Sequence, residues 1–191
     1  MAGNLKVDRD NLSGGELVTV ENSRLGLTVI LVAEGMFFAG FFAALLVLQA
    51  KQGVRGSVEL NWIPTAILAL AFAMTTIARR GCRDGVSLAS HWAANLGIVA
   101  VVGWGFGNSG FLEAANAMLD LATLAPAAAC AAVVLSLLGI HLIAALVPLI
   151  TGVFAMVQGH AERASEKLKM AENLLLFALV VQAVLSLLSF L

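Results

Sequence analysis

Five long apolar runs, separated by short polar stretches, divide the chain. They fall at about residues 25–49, 61–79, 86–107, 126–157 and 172–191. Each is near or above the ~20 residues that a helix needs to cross a bilayer. Lipid satisfies no backbone polar group, so open-ended spanning segments are helices. The pattern predicts an all-α, polytopic membrane bundle of five transmembrane helices. Residues 1–24 are polar and read as an N-terminal tail ahead of a membrane domain over 25–191. The tail lacks the basic-then-apolar layout of a cleavable signal peptide, so insertion rests on the first apolar run.

Local signals sharpen these runs. Asn61 is placed to cap the second, with Trp62 at interface height and Pro64 in the first turn, where proline is tolerated. Pro126 opens the fourth, whose ~32 residues would make a helix roughly 48 Å long. Such a helix must tilt or project from the membrane. Pro148 inside it removes the bond to the Ala144 carbonyl and predicts a kink. Between the third and fourth runs, Leu112, Ala115, Leu119 and Ala122 recur at helical spacing, which predicts a short amphipathic helix on the surface. The charged stretch from Gln158 to Asn173 reads as a helical continuation at the surface.

Composition agrees: 60% of the 191 residues are hydrophobic and 12% charged, with mean hydropathy +0.95. A soluble domain carries about 25% charged residues. The net charge of −1 and the absence of a basic block give no sign of a nucleic-acid partner. Nine of the eleven Lys and Arg fall on one side of the predicted topology. They are Lys6, Arg9 and Arg24, then Arg79, Arg80 and Arg83, then Arg163, Lys167 and Lys169; Lys51 and Arg55 fall on the other. Loop cations gather in the cytoplasm, so the N-terminus reads as inside and the C-terminus as outside. Arg79, Arg80 and Arg83 then read as a cytoplasmic stop. Cys82 and Cys130 lie toward opposite faces, which predicts no disulfide between them.

The chemistry concentrates on Glu34, the ionisable residue inside the first run. A charge at that depth costs at least a few kcal/mol, about 2.5–3.5 on insertion scales, and marks a functional-site hypothesis. On a helix Glu34, Phe37, Phe38, Phe41 and Leu45 share one face, with Phe42 beside them, while Ala33, Gly40 and Ala44 lie toward the other. Small residues there admit a neighbouring helix. His141 lies at similar depth in the fourth run. Either Glu34 and His141 hydrogen-bond each other, or each finds a backbone carbonyl or hydroxyl separately. His91, near the start of the third run, reads as a hydrogen-bonded histidine near the headgroups. Haem anchoring by His91 and His141 is its alternative, set back by their different depths and the lack of a matched second shell. Asn173 and Gln182 read as helix–helix hydrogen-bonding residues. Gly103, Gly105 and Gly107 follow no strand and are no nucleotide fingerprint. No HExxH, Cys/His metal cluster, Ser-His-Asp set or P-loop appears.

The segment AEGMFFAGFFAALL, Ala33 to Leu46, resembles the signature of subunit III of the haem–copper oxidases, a Ser/Ala-Glu-x-Met/Leu-Phe-Phe-x-Gly-Phe-Phe run. Glu34 matches the family's buried carboxylate, reactive toward hydrophobic carbodiimides. GIHLIAALVPL, Gly139 to Leu149, resembles the Gly-x-His-Val/Leu stretch of the penultimate span. His141 takes the second histidine of that motif, and Leu138 stands in place of the first. The resemblance covers all five spans in order and is to the short bacterial or archaeal form. The last span departs from it: AENLLLFALVVQ has no tryptophan, histidine or aspartate where the family opens with Trp-His-Phe-x-Asp. Glu172 and Asn173 are the nearest substitutes.

The resemblance implies a non-catalytic subunit in the inner or plasma membrane of a bacterium or archaeon. It implies packing against oxidase subunit I, assembly with subunit II, bound phospholipid, and support of aerobic electron transport and sustained oxygen reduction by a proton-translocating oxidoreductase complex. Haem and copper are then expected in the partner subunits and not in this chain. Phe37, Phe38, Gly40, Phe41 and Phe42 are implied in lipid and helix packing. Two alternatives remain at this level: a small transporter or channel using Glu34, and a homologue associated with a nitric oxide reductase.

Overall fold

The structure, a computed structural model, describes residues 14–52, 62–83, 85–107 and 126–188. They form five α-helices: α1 (Gly14–Gln52), α2 (Ile63–Arg83), α3 (Leu88–Gly107), α4 (Pro126–Val157) and α5 (Ala161–Leu188). No strand occurs among the described residues. α1, α2, α4 and α5 are long and apolar enough to cross a membrane. α3 has 20 residues, but His91 and Asn95 in its first half dilute its apolar character.

Helix ends follow local chemistry. α3 opens on a reciprocal cap: Ser90 N–H donates to Ser87 Oγ at 3.2 Å, and Ser87 N–H donates to Ser90 Oγ at 3.0 Å. A serine thus takes the place of the usual Glu or Gln of a capping box. α4 ends in a Schellman turn. Gly159, with φ +75°, donates to the Met156 carbonyl, and His160 donates to that of Ala155. A left-handed residue without Cβ is what this turn requires. α5 starts immediately after, with Glu162 in its first turn facing the positive end of the helix dipole.

Two elements begin earlier than their apolar runs. The apolar stretch of α1 starts at Leu25 as expected, but its helix starts at Gly14. Residues 14–24, read as tail, are therefore helical. α5 starts at Ala161 and not at 172, and the charged stretch ahead of 172 is helical as expected. Polarity ends a membrane span; it does not end the backbone hydrogen-bond ladder. The α4 limits coincide with the expected 126–157, and α4 runs through Pro148. Beside that proline, Thr151 Oγ1 donates to the Val147 carbonyl at 2.9 Å. Asn61 and the amphipathic segment expected over 109–125 lie outside the described residues.

The chain divides into two compact units, Met1–Phe37 and Phe38–Leu191, so the boundary falls within α1. In the second unit α2 packs on α3 and α5, α3 on α4, and α4 on α5. The four helices close into a ring. Small residues set how closely they approach. A Cβ built on Gly81 of α2 would lie 2.8 Å from the Ser90 Cβ of α3, and one on Gly97 of α3 would lie 3.0 Å from Thr75 Oγ1 of α2. A Cβ on Gly152 of α4 would lie 3.1 Å from the Leu168 side chain of α5. The core between them holds Leu68, Ala71, Ala94, Trp104, Val134, Leu138, Ala145, Leu149, Leu175 and Ala178, all buried. Alanine-lined contacts of this kind bring helices together by van der Waals packing where lipid offers no hydrophobic drive.

Candidate functional site

His141 sits on α4, one turn beyond Leu138, and is 4% exposed. Its Nε2–H donates to the Leu174 carbonyl of α5 at 3.0 Å. A carbonyl can only accept, so this bond assigns the proton of a neutral ring to Nε2 and leaves Nδ1 as the accepting nitrogen. The ring also lies against Phe177 of α5, with centroids 4.9 Å apart and planes at 41°. Phe177 in turn meets Phe38 of α1 at 5.7 Å and 59°, and Phe38 meets Phe42 at 6.4 Å and 31°. A row of four rings thus joins α4, α5 and the second part of α1. Tilted aromatic pairs are worth about 0.5–1.5 kcal/mol each beyond their area. The Cys130 thiol of α4 adds a weak bond to the Phe41 carbonyl of α1, at 3.6 Å.

Glu34 lies on α1 in the first unit and is half-buried. The expected face of α1 is only partly covered. Phe38 and Leu45 are buried and Phe41 and Phe42 half-buried, but Phe37 is 53% exposed. Phe37, implied in lipid and helix packing, thus stands one residue before Phe38 with its ring largely uncovered. Ala33, Gly40 and Ala44 are exposed, and a Cβ on Gly40 would meet nothing within 4 Å. Of the apolar window of α1, 11% is buried, against 44% in α4 and 50% in α5.

A second polar group joins α2 to α5. The Arg79 guanidinium faces the Glu172 carboxylate through Nε to Oε2, and Nη2 donates to Oε1 at 3.4 Å. Thr76 Oγ1 donates to the same Oε1 at 2.9 Å. Arg79 thus has a partner within the bundle, beyond the role of a stop. Glu172 is only 13% exposed because it faces Arg79 and Thr76 of α2, and the start of α5 at Ala161 places it three turns inside the helix. The available sequence signal was the helical character of the stretch ahead of it.

The two amides of α5 behave differently from expectation. Asn173 is exposed, on the outward side next to Glu172. Gln182 is fully buried, yet its amide makes no hydrogen bond among the described residues. The side-chain bonds between α2 and α5 come instead from Thr76 and Arg79 to Glu172 and from the hydroxyls of Thr65 and Ser186, 2.9 Å apart. His91 is the hydrogen-bonded histidine expected: its Nδ1–H donates to the Ser87 carbonyl at 3.0 Å. Cys82 and Cys130 are free thiols.

These residues can orient, pack and fasten helices. Among the described residues, no group of three or more His, Cys, Asp or Glu is placed to hold a metal ion. Compared with protein-family models and with curated proteins, the chain matches none.

Proposed function

We propose that this chain is a non-catalytic subunit III of a respiratory haem–copper terminal oxidase, in the cell membrane of a bacterium or archaeon. In this reading α3 also crosses the membrane, the N-terminus is inside and the C-terminus outside. The chain packs against the catalytic subunit I beside subunit II, which carry the haems and copper, and binds phospholipid along its exposed apolar faces. One observation carries the reading. The two segments that resemble the family, Ala33–Leu46 and Gly139–Leu149, each send a ring, Phe38 and His141, into contact with Phe177. Sequence segments about a hundred residues apart thus converge on one aromatic row.

The uncovered side of α1 supports a partner surface. Its small residues leave room for another helix at Gly40. His141, matching the family's histidine, ties α4 to α5 through the Leu174 carbonyl; Glu34, matching the family's carboxylate, is proposed to hold its own helix in place by hydrogen bonding, with a supporting role for proton or oxygen supply to subunit I.

Purification of the full-length chain from its native membranes in mild detergent tests this. Large partner subunits and haem absorbance are expected with it, and the chain separated from them is expected to carry neither haem nor copper. An autonomous homo-oligomer without haem would reject the reading in favour of a transporter or channel built on Glu34. Co-purification with a nitric oxide reductase would move the chain to that complex.

A further inference from the structure

Gln182 is a polar side chain that the bundle leaves unexplained. It is 0% exposed, and neither its amide oxygen nor its amide nitrogen has a hydrogen-bond partner among the described residues. A glutamine amide offers two donors and two acceptor positions. Burying them unmade costs stability relative to an apolar side chain, because the amide gives up its bonds to water.

Its neighbours follow from helix register. Thr65 of α2 pairs with Ser186 of α5, and Thr76 of α2 with Glu172 of α5. The two helices are therefore antiparallel. Gln182, one turn before Ser186, falls level with Leu68, one turn after Thr65. Across α2 and α3, Gly81 faces Ser90 and Gly97 faces Thr75. Two turns further, Trp104 falls level with Leu68 as well. The orphan amide thus lies in a layer with the buried side chains of Leu68 and Trp104, one helical turn from a pair of hydroxyls.

An internal water needs two to four polar partners and a polar place to sit. The amide and the two hydroxyls supply that number, since a hydroxyl carries one donor and two acceptor positions. An ion is disfavoured, since no charged side chain belongs to this layer. We propose that Gln182, with the Thr65–Ser186 hydroxyl pair, holds an internal water between α2 and α5. The water satisfies the amide and extends the polar link between these two helices by one turn.

Pulsed radiolysis in ¹⁸O water tests the site, because hydroxyl radicals form from bound as well as bulk water. The sample is the full-length chain with whatever subunits purify with it. Leu68 and Trp104 are shielded from bulk solvent, so oxidation there reports a water inside. The expected result is ¹⁸O incorporation at both in the wild type. Gln182→Leu and Gln182→Met should reduce it to the background of buried Leu175, while exposed Trp92 stays labelled. Wild-type labelling of Leu68 and Trp104 no higher than that of Leu175 would overturn the proposal. So would unchanged labelling in Gln182→Met. The wild-type measurement decides the matter even where a variant fails to fold.

Discussion

Removing Arg79 perturbs the link that holds α2 against α5. Its guanidinium and the Glu172 carboxylate are 15% and 13% exposed. An exposed ion pair is worth about 0–1 kcal/mol. Deleting one partner of a fully buried pair costs about 3–5 kcal/mol, because the other charge stays buried and unpaired. With a little water still reaching both groups, Arg79→Met should cost about 2–3 kcal/mol. Thr76 keeps one hydrogen bond to the stranded carboxylate, worth about 1.5–3 kcal/mol for a charged acceptor, which holds the loss below the buried limit. Glu172→Leu should cost a similar amount by stranding the arginine. The double variant should be little worse than either single one, because no unpaired charge remains. The resulting coupling should be about 2–3 kcal/mol. Reversible unfolding in mixed micelles, followed by far-ultraviolet circular dichroism, measures all four proteins. Additive losses, with coupling under about 0.5 kcal/mol, would show that the pair does not fasten the helices.

Further predictions separate the interior of the bundle from the proposed partner surface. Gly81→Ala places a Cβ against Ser90 and should destabilise the α2–α3 hairpin by about 1–3 kcal/mol, read as a lower unfolding midpoint. A Cβ at Gly40 meets nothing within 4 Å, so Gly40→Leu should leave the unfolding midpoint of the separated subunit unchanged while co-purification with the proposed partner subunits falls. Wild-type assembly would reject the Gly40 surface. Glu34→Gln keeps most hydrogen-bonding capacity and should preserve assembly and oxygen-reduction rate, whereas Glu34→Ala should lose about 1–3 kcal/mol of local stability and lower assembly yield. Equal losses in the two would sink the fastening role.

Hydropathy and breakers alone located most of the architecture. Pro126 and the apolar run behind it marked α4 to its ends, and Leu25 marked the start of the apolar part of α1. These features are local: an apolar run meets lipid or core whatever its neighbours do, and a proline limits a helix through its own ring. The helical starts at Gly14 and Ala161 were less visible, because hydropathy records where water ends and not where backbone hydrogen bonding begins. The resemblance singled out Glu34 and His141, yet the Leu174 carbonyl that orients His141 and the Phe177 ring beside it carried no mark of their own. The same holds for Arg79 with Glu172, and for Phe37 turned outward while Phe38 is buried. Partner choice and burial depend on helix register and on which faces neighbours cover. A single helix's periodicity contains neither, so only the packed structure decided that Glu172 is paired and Gln182 is not.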